Sequence, residues 1–166
     1  YAIKAGHVAA MLRALSRRDQ LYILSYALLD EHGTNVMSTN DSETGVDQSR
    51  HDHFQKPIAT GLPYVSAVEF SETADPPSIY FSAPIRNAQG ITVGVLRVRY
   101  NAAILQHIVA DANGLAGMES YAVLLDENHL RLADGESPDS ILKTVVPLDP
   151  AKVAELQAAD RLPRRP

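Results

Sequence analysis

The sequence of 166 residues contains no cysteine, which excludes disulfide bonds, thiolate chemistry and metal sites built on Cys ligands. It also lacks any run of about 18 apolar residues, so no stretch predicts a membrane span. Basic residues are not in excess, because 15 Lys and Arg stand against 20 Asp and Glu, for a formal charge of −5. Nucleic-acid surfaces normally carry clustered basic residues, and we therefore expect no nucleic-acid partner.

Common catalytic motifs are missing as well. There is no Walker loop, no Ser nucleophile elbow, no HExxH helix and no Gly-rich dinucleotide turn. His51-Asp52-His53 has the His-x-His form, which on an extended strand turns two imidazoles toward one metal ion, with His32 as a candidate third ligand. Such pairs are frequent by chance. We expect no enzyme activity, no cofactor and no bound metal.

The residues that are present can build a core, since 45% of them are apolar. Helical spacing of apolar residues predicts an amphipathic helix within the first 19 residues, at Val8, Met11, Leu12 and Leu15. The dense apolar run Leu21–Leu29 predicts a buried strand. A tight turn at Asp30–Gly33 then leads to a short strand at Thr34–Ser38.

The middle of the chain alternates polar links with strand-like runs. Thr39–Arg50 is polar and predicts a loop or a lid. Three apolar runs predict antiparallel strands joined by short turns: Tyr64–Phe70, Ser78–Ile85 and Ile91–Tyr100. Asn101 is the expected N-cap of a helix that ends near Asn113-Gly114.

The chain also contains an internal repeat. Ser25–Glu31 recurs, with one inserted Val123, as Ser120–Glu127, and in both places an apolar run ends in an acidic turn. Two tandem modules explain the repeat, whereas chance similarity of a short apolar stretch is the alternative. We therefore predict one module with its N-terminal helix at residues 1–117 and the beginning of a second, incomplete module at 118–166.

The order of these pieces resembles the double Cache family of sensor domains, which are also called PAS-like or PDC sensors. The segments that carry the resemblance are Leu28–Gly33, His53-Phe54, Gly61–Ser66, Ile79–Ile85 and Gly90–Leu96. The resemblance implies an α+β fold with a long N-terminal helix packed on a PAS-like antiparallel sheet. The restart at Ser120 then corresponds to the membrane-proximal module.

Members of this family are mostly extracytoplasmic sensing regions of bacterial membrane receptors, namely histidine kinases, chemoreceptors and cyclases. The resemblance implies a small-molecule ligand, and it places the membrane anchor of the parent protein outside this segment. The chain begins at Tyr1 and ends in Arg-Arg-Pro, and we interpret it as part of a longer protein. The stripe through Val8 and Leu15 predicts a homodimer paired through the N-terminal helix. The alternative is a ligand-free PAS-like domain that serves as a dimerising spacer.

In amino-acid-binding members of this family, an Arg binds the carboxylate of the ligand. This Arg lies three residues before an aromatic residue, and a Trp or Tyr comes directly before that aromatic. In this chain Phe54 matches the aromatic and His53 takes the Trp or Tyr place. His51 stands where the Arg is expected, and Arg50 lies one residue earlier. A guanidinium from Arg50 still suits a carboxylate, whereas His51 suits one only when it is protonated. The alternative is that this segment is a solvated loop.

The family's acceptors for the ligand's ammonium group correspond to Glu69, Ser71 and Arg99. An Arg at the last position reverses the local charge and predicts a small anion, such as a carboxylate, held by Arg99 with Arg50. A simple Glu69–Arg99 pair across the sheet is the alternative. Further candidates for the wall of the pocket are Tyr64, Tyr80 and Ser82, although such tyrosines also occur as half-buried core residues.

Overall fold

The computed structural model describes residues 2–70 and 76–164. The chain divides into two compact units, the first formed by Tyr1–Ala67 with Ile79–Asn101 and the second by Val68–Ser78 with Ala102–Pro166. The two units are described separately below. Among the described residues, no helix combines the length and the apolar character that crossing a bilayer requires.

The first unit is a helix-backed antiparallel sheet. Its elements are α1 (Ala2–Ser16), β1 (Ile23–Asp30), β2 (Asn35–Ser38), α2 (Asp52–Thr60), β3 (Tyr64–Val65), nearly all of β4 (Ser78–Arg86), and β5 (Thr92–Asn101). The strand order is β2-β1-β5-β4-β3. Helix α1 contacts β1, and α2 contacts β5 and β3. The predicted α+β fold, with an N-terminal helix on an antiparallel sheet, is confirmed.

One face of this sheet has an apolar end and a polar end. The antiparallel register sets Leu29 opposite Val95, and these two side chains form the core with Ala27 and Phe54. Further along the same face, β1 and β5 bring buried polar residues together, because alternate residues of a strand share a face. Those residues are Ser25, Arg97 and Arg99.

The second unit contains α3 (Ala103–Asp111), β6 (Val123–Leu125), β7 (Arg131–Asp134) and α4 (Pro150–Ala158). Strands β6 and β7 form a two-stranded antiparallel sheet. Helix α3 contacts both strands. A 3-10 helix at Pro138–Ser140 follows β7, as one at Asp41–Glu43 follows β2.

The two copies of the sequence repeat end in turns with the same hydrogen-bond pattern. Asp30 Oδ1 accepts hydrogen bonds from the backbone N–H groups of His32 and Thr34, and Asp126 Oδ1 accepts them from Asn128 and Leu130. The turn residue before the second strand has a positive φ in both copies, +89° at Gly33 and +62° at His129. The same side-chain chemistry therefore closes both hairpins. The division into modules at residue 117 stays a prediction.

Helix α2 was not predicted from the sequence. It begins after the predicted loop and contains Pro57, a residue that normally breaks a helix because it lacks a backbone N–H. Burial of His53, Phe54 and Pro57 compensates for the lost hydrogen bond. Gly61, with φ of 67°, ends the helix and donates its N–H to the Pro57 carbonyl. The premise of an extended His-x-His strand is therefore wrong.

The predicted strand Tyr64–Phe70 is wrong in length. Only Tyr64–Val65 pairs as a strand, followed by an isolated bridge between Glu69 and Ser78. The regular ladder stops at Ser66 because its hydroxyl, rather than a backbone carbonyl, accepts the hydrogen bond from the Tyr80 N–H. Side-chain acceptors of this kind compete with strand pairing.

Two other predicted positions also need correction. Asn101 is the last residue of β5, where its N–H donates to the Tyr22 carbonyl, and the N-cap of α3 is Ala102 without a side-chain cap. Leu21 precedes β1 and is 72% exposed, so the buried strand is shorter than its apolar run. In α1, Leu12 is buried whereas Met11 is half exposed.

Candidate functional site

A fully buried arginine lies at the polar end of the sheet. Arg97 is 2% exposed, and its guanidinium donates to Gln48 Oε1 at 3.1 Å and to Ser25 Oγ at 2.8 Å. It also forms an ion pair with Glu43 and lies 5.6 Å from the centre of the Tyr80 ring. An isolated buried charge is costly, and these contacts supply the compensation that keeps this one in the interior.

The Glu43 carboxylate binds both arginines of β5. Its Oε2 pairs with Arg97, and its Oε1 lies 3.5 Å from Arg99 Nη1. Three further donors surround the same carboxylate: the Ser25 hydroxyl at 2.9 Å, the Ser38 hydroxyl at 3.2 Å and the Asn40 amide at 3.4 Å. Burial raises the pKa of Glu43, but the arginine charges and the hydrogen bonds outweigh burial and lower this pKa overall.

His53 extends this network onto α2. Its Nε2 lies 2.9 Å from Gln48 Oε1, and because that oxygen only accepts, Nε2 carries the proton. The imidazole stacks on Tyr80 with ring centres 4.5 Å apart, and on its other neighbour His51 at 5.0 Å. Burial, followed by the charges of Arg97 and His51, lowers the pKa of His53 from 6.5 to about 3. The ring is therefore neutral at physiological pH.

Several buried polar atoms of this face have no hydrogen-bond partner among the described residues. They are His53 Nδ1, an acceptor, Arg97 Nε, a donor, and the Ser82 hydroxyl, which does both. Buried polar groups are normally satisfied by protein, water or ligand. The face therefore offers mixed donors and acceptors beside a charged arginine pair, as expected of a surface that receives a small polar molecule.

The structure places some predicted site residues together and others apart. Buried in the first unit are His53, Tyr80, Ser82 and Arg99, with Tyr64 half-buried and paired in register with Ser82. Arg50 and His51 are exposed before α2, so the Arg50–Arg99 pair has no support in these contacts. Glu69 lies in the second unit. Ser71 lies outside the described residues.

Arg99 pairs with Glu43, a residue that the sequence did not indicate. Gln48, Ser25 and Arg97 were missed as well. A signal existed for Arg97, because strand alternation puts it on the face of Arg99 and of the apolar Val95. Glu43 and Gln48 lie in a polar loop, where nothing in the sequence separates an inserted carboxylate from a solvated one.

Several solved structures have a fold similar to that of this chain, at low sequence identity. The sensor domain of the V. cholerae histidine kinase DctB matches with a TM-score of 0.70 at 16% identity, over 97% of this chain and 59% of that one. The sensory domain of the Campylobacter jejuni chemoreceptor Tlp3 with isoleucine bound matches with a TM-score of 0.66 at 18% identity, over 92% and 59%. Neither protein-family models nor curated proteins give a match to the sequence.

A third match is the ligand-binding domain of the Pseudomonas aeruginosa PAO1 amino-acid chemoreceptor PctC in complex with GABA, with a TM-score of 0.61 at 21% identity over 83% of this chain. The chain spans 59% of the length of each of these three domains. Its fold is thus that of the Cache-type sensor domains, which confirms the fold expected from the family resemblance.

Proposed function

We propose that this chain is the extracytoplasmic sensing region of a bacterial membrane receptor and that its first unit binds a small molecule carrying a carboxylate. The fold supports a receptor role, because the similar domains belong to a histidine kinase and to chemoreceptors. Two of those structures hold isoleucine or GABA, and both of these ligands carry a carboxylate. The domain binds its ligand without catalysis, and its parent receptor is anchored in a membrane.

One observation carries the proposal: two buried guanidiniums share one face with unpartnered polar atoms. Arg97 and Arg99 are 2% and 9% exposed, and Arg97 Nε, His53 Nδ1 and Ser82 Oγ still lack partners among the described residues. Guanidinium groups recognise carboxylates through paired N–H donors. A purely structural sheet gains nothing from this arrangement, because apolar side chains of similar volume stabilise a core as well or better.

A thermal-shift and calorimetric screen tests the proposal. Small mono- and dicarboxylates and amino acids are titrated into the wild-type chain and into Arg99→Ala. A ligand present at 100 times its Kd stabilises the folded state by about 2.7 kcal/mol, which raises Tm by about 5 to 10 °C for a chain of this size. We expect such a rise in the wild type and a loss of at least tenfold in affinity in Arg99→Ala.

Arg86→Ala is the matched control, since Arg86 is an exposed arginine of the neighbouring strand β4 whose Nη2 donates to the Gly61 carbonyl at 2.7 Å. It should bind the ligand like the wild type. Full affinity in Arg99→Ala would remove Arg99 from the site. If no compound binds the wild type, the ligand-free spacer is the better description.

We further propose that the receptor is a homodimer paired through α1. Within this helix Leu12 is buried in the chain, whereas Met11 is half exposed and Val8 and Leu15 are half-buried. The exposed part of the apolar stripe is then the dimer contact. Light scattering should give about twice the 18.1 kDa of one chain, and Met11→Glu should return the mass to the monomer. A monomeric wild type at high concentration would refute the pairing.

The two-module division is also part of the proposal. The repeated Asp30 and Asp126 hairpins, each followed by a 3-10 helix, support a second module that begins like the first. A gene fragment that encodes residues 1–117 should then yield a chain that retains the ligand affinity of the longer one. Loss of that affinity in a folded fragment would contradict the boundary at residue 117.

A further inference from the structure

We infer that Glu43 is an internal carboxylate that occupies the binding place of the ligand's carboxylate and is displaced when the ligand binds. The inference rests on the proposed function and names both the ligand group and its competitor. Five donors already converge on the Glu43 carboxylate: two guanidiniums, two hydroxyls and one amide. Such a donor set is a carboxylate-binding site, and its present occupant is a side chain of the protein itself.

The donors belong to the sheet, whereas the occupant belongs to a loop. Ser25 comes from β1, Ser38 from β2 and both arginines from β5, so four of the five donors are fixed by strand pairing. Glu43 lies in the segment from Asn40 to Thr44, which we call the tip. A rigid receptor and a loop-borne occupant are the two parts that an exchange requires.

Glu43 supplies most of the contacts that attach the tip to the sheet, and the Asn40 N–H adds one hydrogen bond to the Ser38 hydroxyl of β2. The neighbours of Glu43 from residue 41 to residue 47 are all exposed, and Glu43 alone in that stretch is half-buried. Backbone hydrogen bonds hold the chain on either side of the tip: the Thr39 N–H donates to the Tyr26 carbonyl at 2.9 Å, and the Gly45 N–H donates to the Asn35 carbonyl at 2.7 Å. Loss of the Glu43 contacts therefore frees the tip and leaves both ends of the loop in place.

Donor chemistry and access favour exchange. Arg97 and Arg99 both contact the Glu43 carboxylate, and a free carboxylate is recognised by guanidinium groups through the same kind of N–H donors. The Glu43 side chain is 15% exposed, so a solute can approach it from the solvent. When a ligand must displace an internal competitor, its apparent affinity is its intrinsic affinity multiplied by the fraction of molecules in which the site is vacant. Removal of the competitor therefore strengthens binding.

The test uses propionate, which is the chemical equivalent of the Glu43 side chain beyond its Cα. Propionate is titrated at constant ionic strength into the wild-type chain and into Glu43→Ala, with Glu43→Gln as the variant that keeps the side-chain shape if the alanine variant does not fold. We expect propionate to bind the variant at least tenfold more tightly than the wild type. The matched control is Glu31→Ala, which removes an exposed carboxylate paired with His32 at 3.6 Å and should leave propionate binding unchanged.

Hydrogen exchange of the wild-type chain supplies the second readout. Saturating propionate should speed exchange at least threefold in a peptide that covers the tip, where the Glu43 and Thr44 amides donate within the 3-10 turn. Exchange at Thr39 and Gly45 should not change, because the backbone bonds of these two residues hold the chain on either side of the tip. Unchanged or slower exchange at the tip would overturn the inference.

The outcomes separate this inference from the proposed function. In one outcome, the wild-type chain binds a compound from the screen but neither Glu43 variant gains affinity for propionate. That result would support the sensing role and overturn the displacement of Glu43. In another outcome, a Glu43 variant gains affinity for propionate but the wild-type chain binds no compound. Glu43 would then be a permanent counter-ion of the arginines, and both the proposed function and the displacement of Glu43 would be overturned.

Discussion

His53 makes the stability of this protein depend on pH near neutrality. The imidazole is 2% exposed, and burial with the charges of Arg97 and His51 lowers its pKa from 6.5 to about 3. Gln48 and Tyr80 are its other close neighbours. A buried neutral histidine resists protonation in the folded state, whereas the same residue takes up a proton readily in the unfolded chain.

The sign and the size follow from linkage. The folded-state pKa is below the unfolded one, so the stabilisation is complete above pH 6.5 and is lost as the pH falls toward about 3. At pH 5 the unfolded chain is almost fully protonated at this residue and the folded chain is not. The free energy of unfolding therefore decreases by about 2 kcal/mol between pH 7 and pH 5 from this group alone. Glu43, with a lowered pKa, acts only below its ordinary value of 4.5.

Urea unfolding, followed by far-ultraviolet circular dichroism or by fluorescence of the seven tyrosines, measures this loss in the wild type and in His53→Phe. Phenylalanine keeps a ring against Tyr80 but does not titrate, so the decrease of about 2 kcal/mol should disappear. His32→Asn, at a side chain that is 80% exposed, is the matched control and should keep the wild-type decrease. The same decrease in His53→Phe as in the wild type would show that the titration of His53 is not its cause.

Two further predictions concern packing and backbone. Arg97→Ala leaves the Glu43 carboxylate without its main partner and should reduce the free energy of unfolding by about 3–5 kcal/mol. The exposed Arg86→Ala should reduce it by about 1 kcal/mol or less. Equal effects of the two substitutions in urea unfolding would refute a special role for the buried pair. Gly33→Ala should reduce the free energy of unfolding more than Gly45→Ala, although both residues have a positive φ. A Cβ at Gly33 would meet backbone atoms 2.6 Å away, whereas a Cβ at Gly45 would meet nothing within 4 Å. A smaller loss for Gly33→Ala than for Gly45→Ala in urea unfolding would contradict this steric argument.

The sequence predicted the elements whose signal is local. Apolar runs located β1 and β5, and the order of turns and strands matched the family whose fold the structure confirms. Helix α2 was missed because Pro57 is a local signal against a helix, which the burial of its neighbours overrides. Asn101 was wrongly predicted as the N-cap of α3, because a residue type that caps helices well can also end a strand.

The sequence by itself determined the fold class, the two acidic hairpins and several polar residues of the sheet face, because these depend on residues close together in the chain. Only the tertiary structure decided which charges meet. Glu43 and Arg97 are 54 residues apart, as Gln48 and Arg97 are 49 apart, and no periodic pattern connects residues at that separation. Their pairing depends on strand register and on where a loop crosses the sheet, and these are properties of the folded chain as a whole.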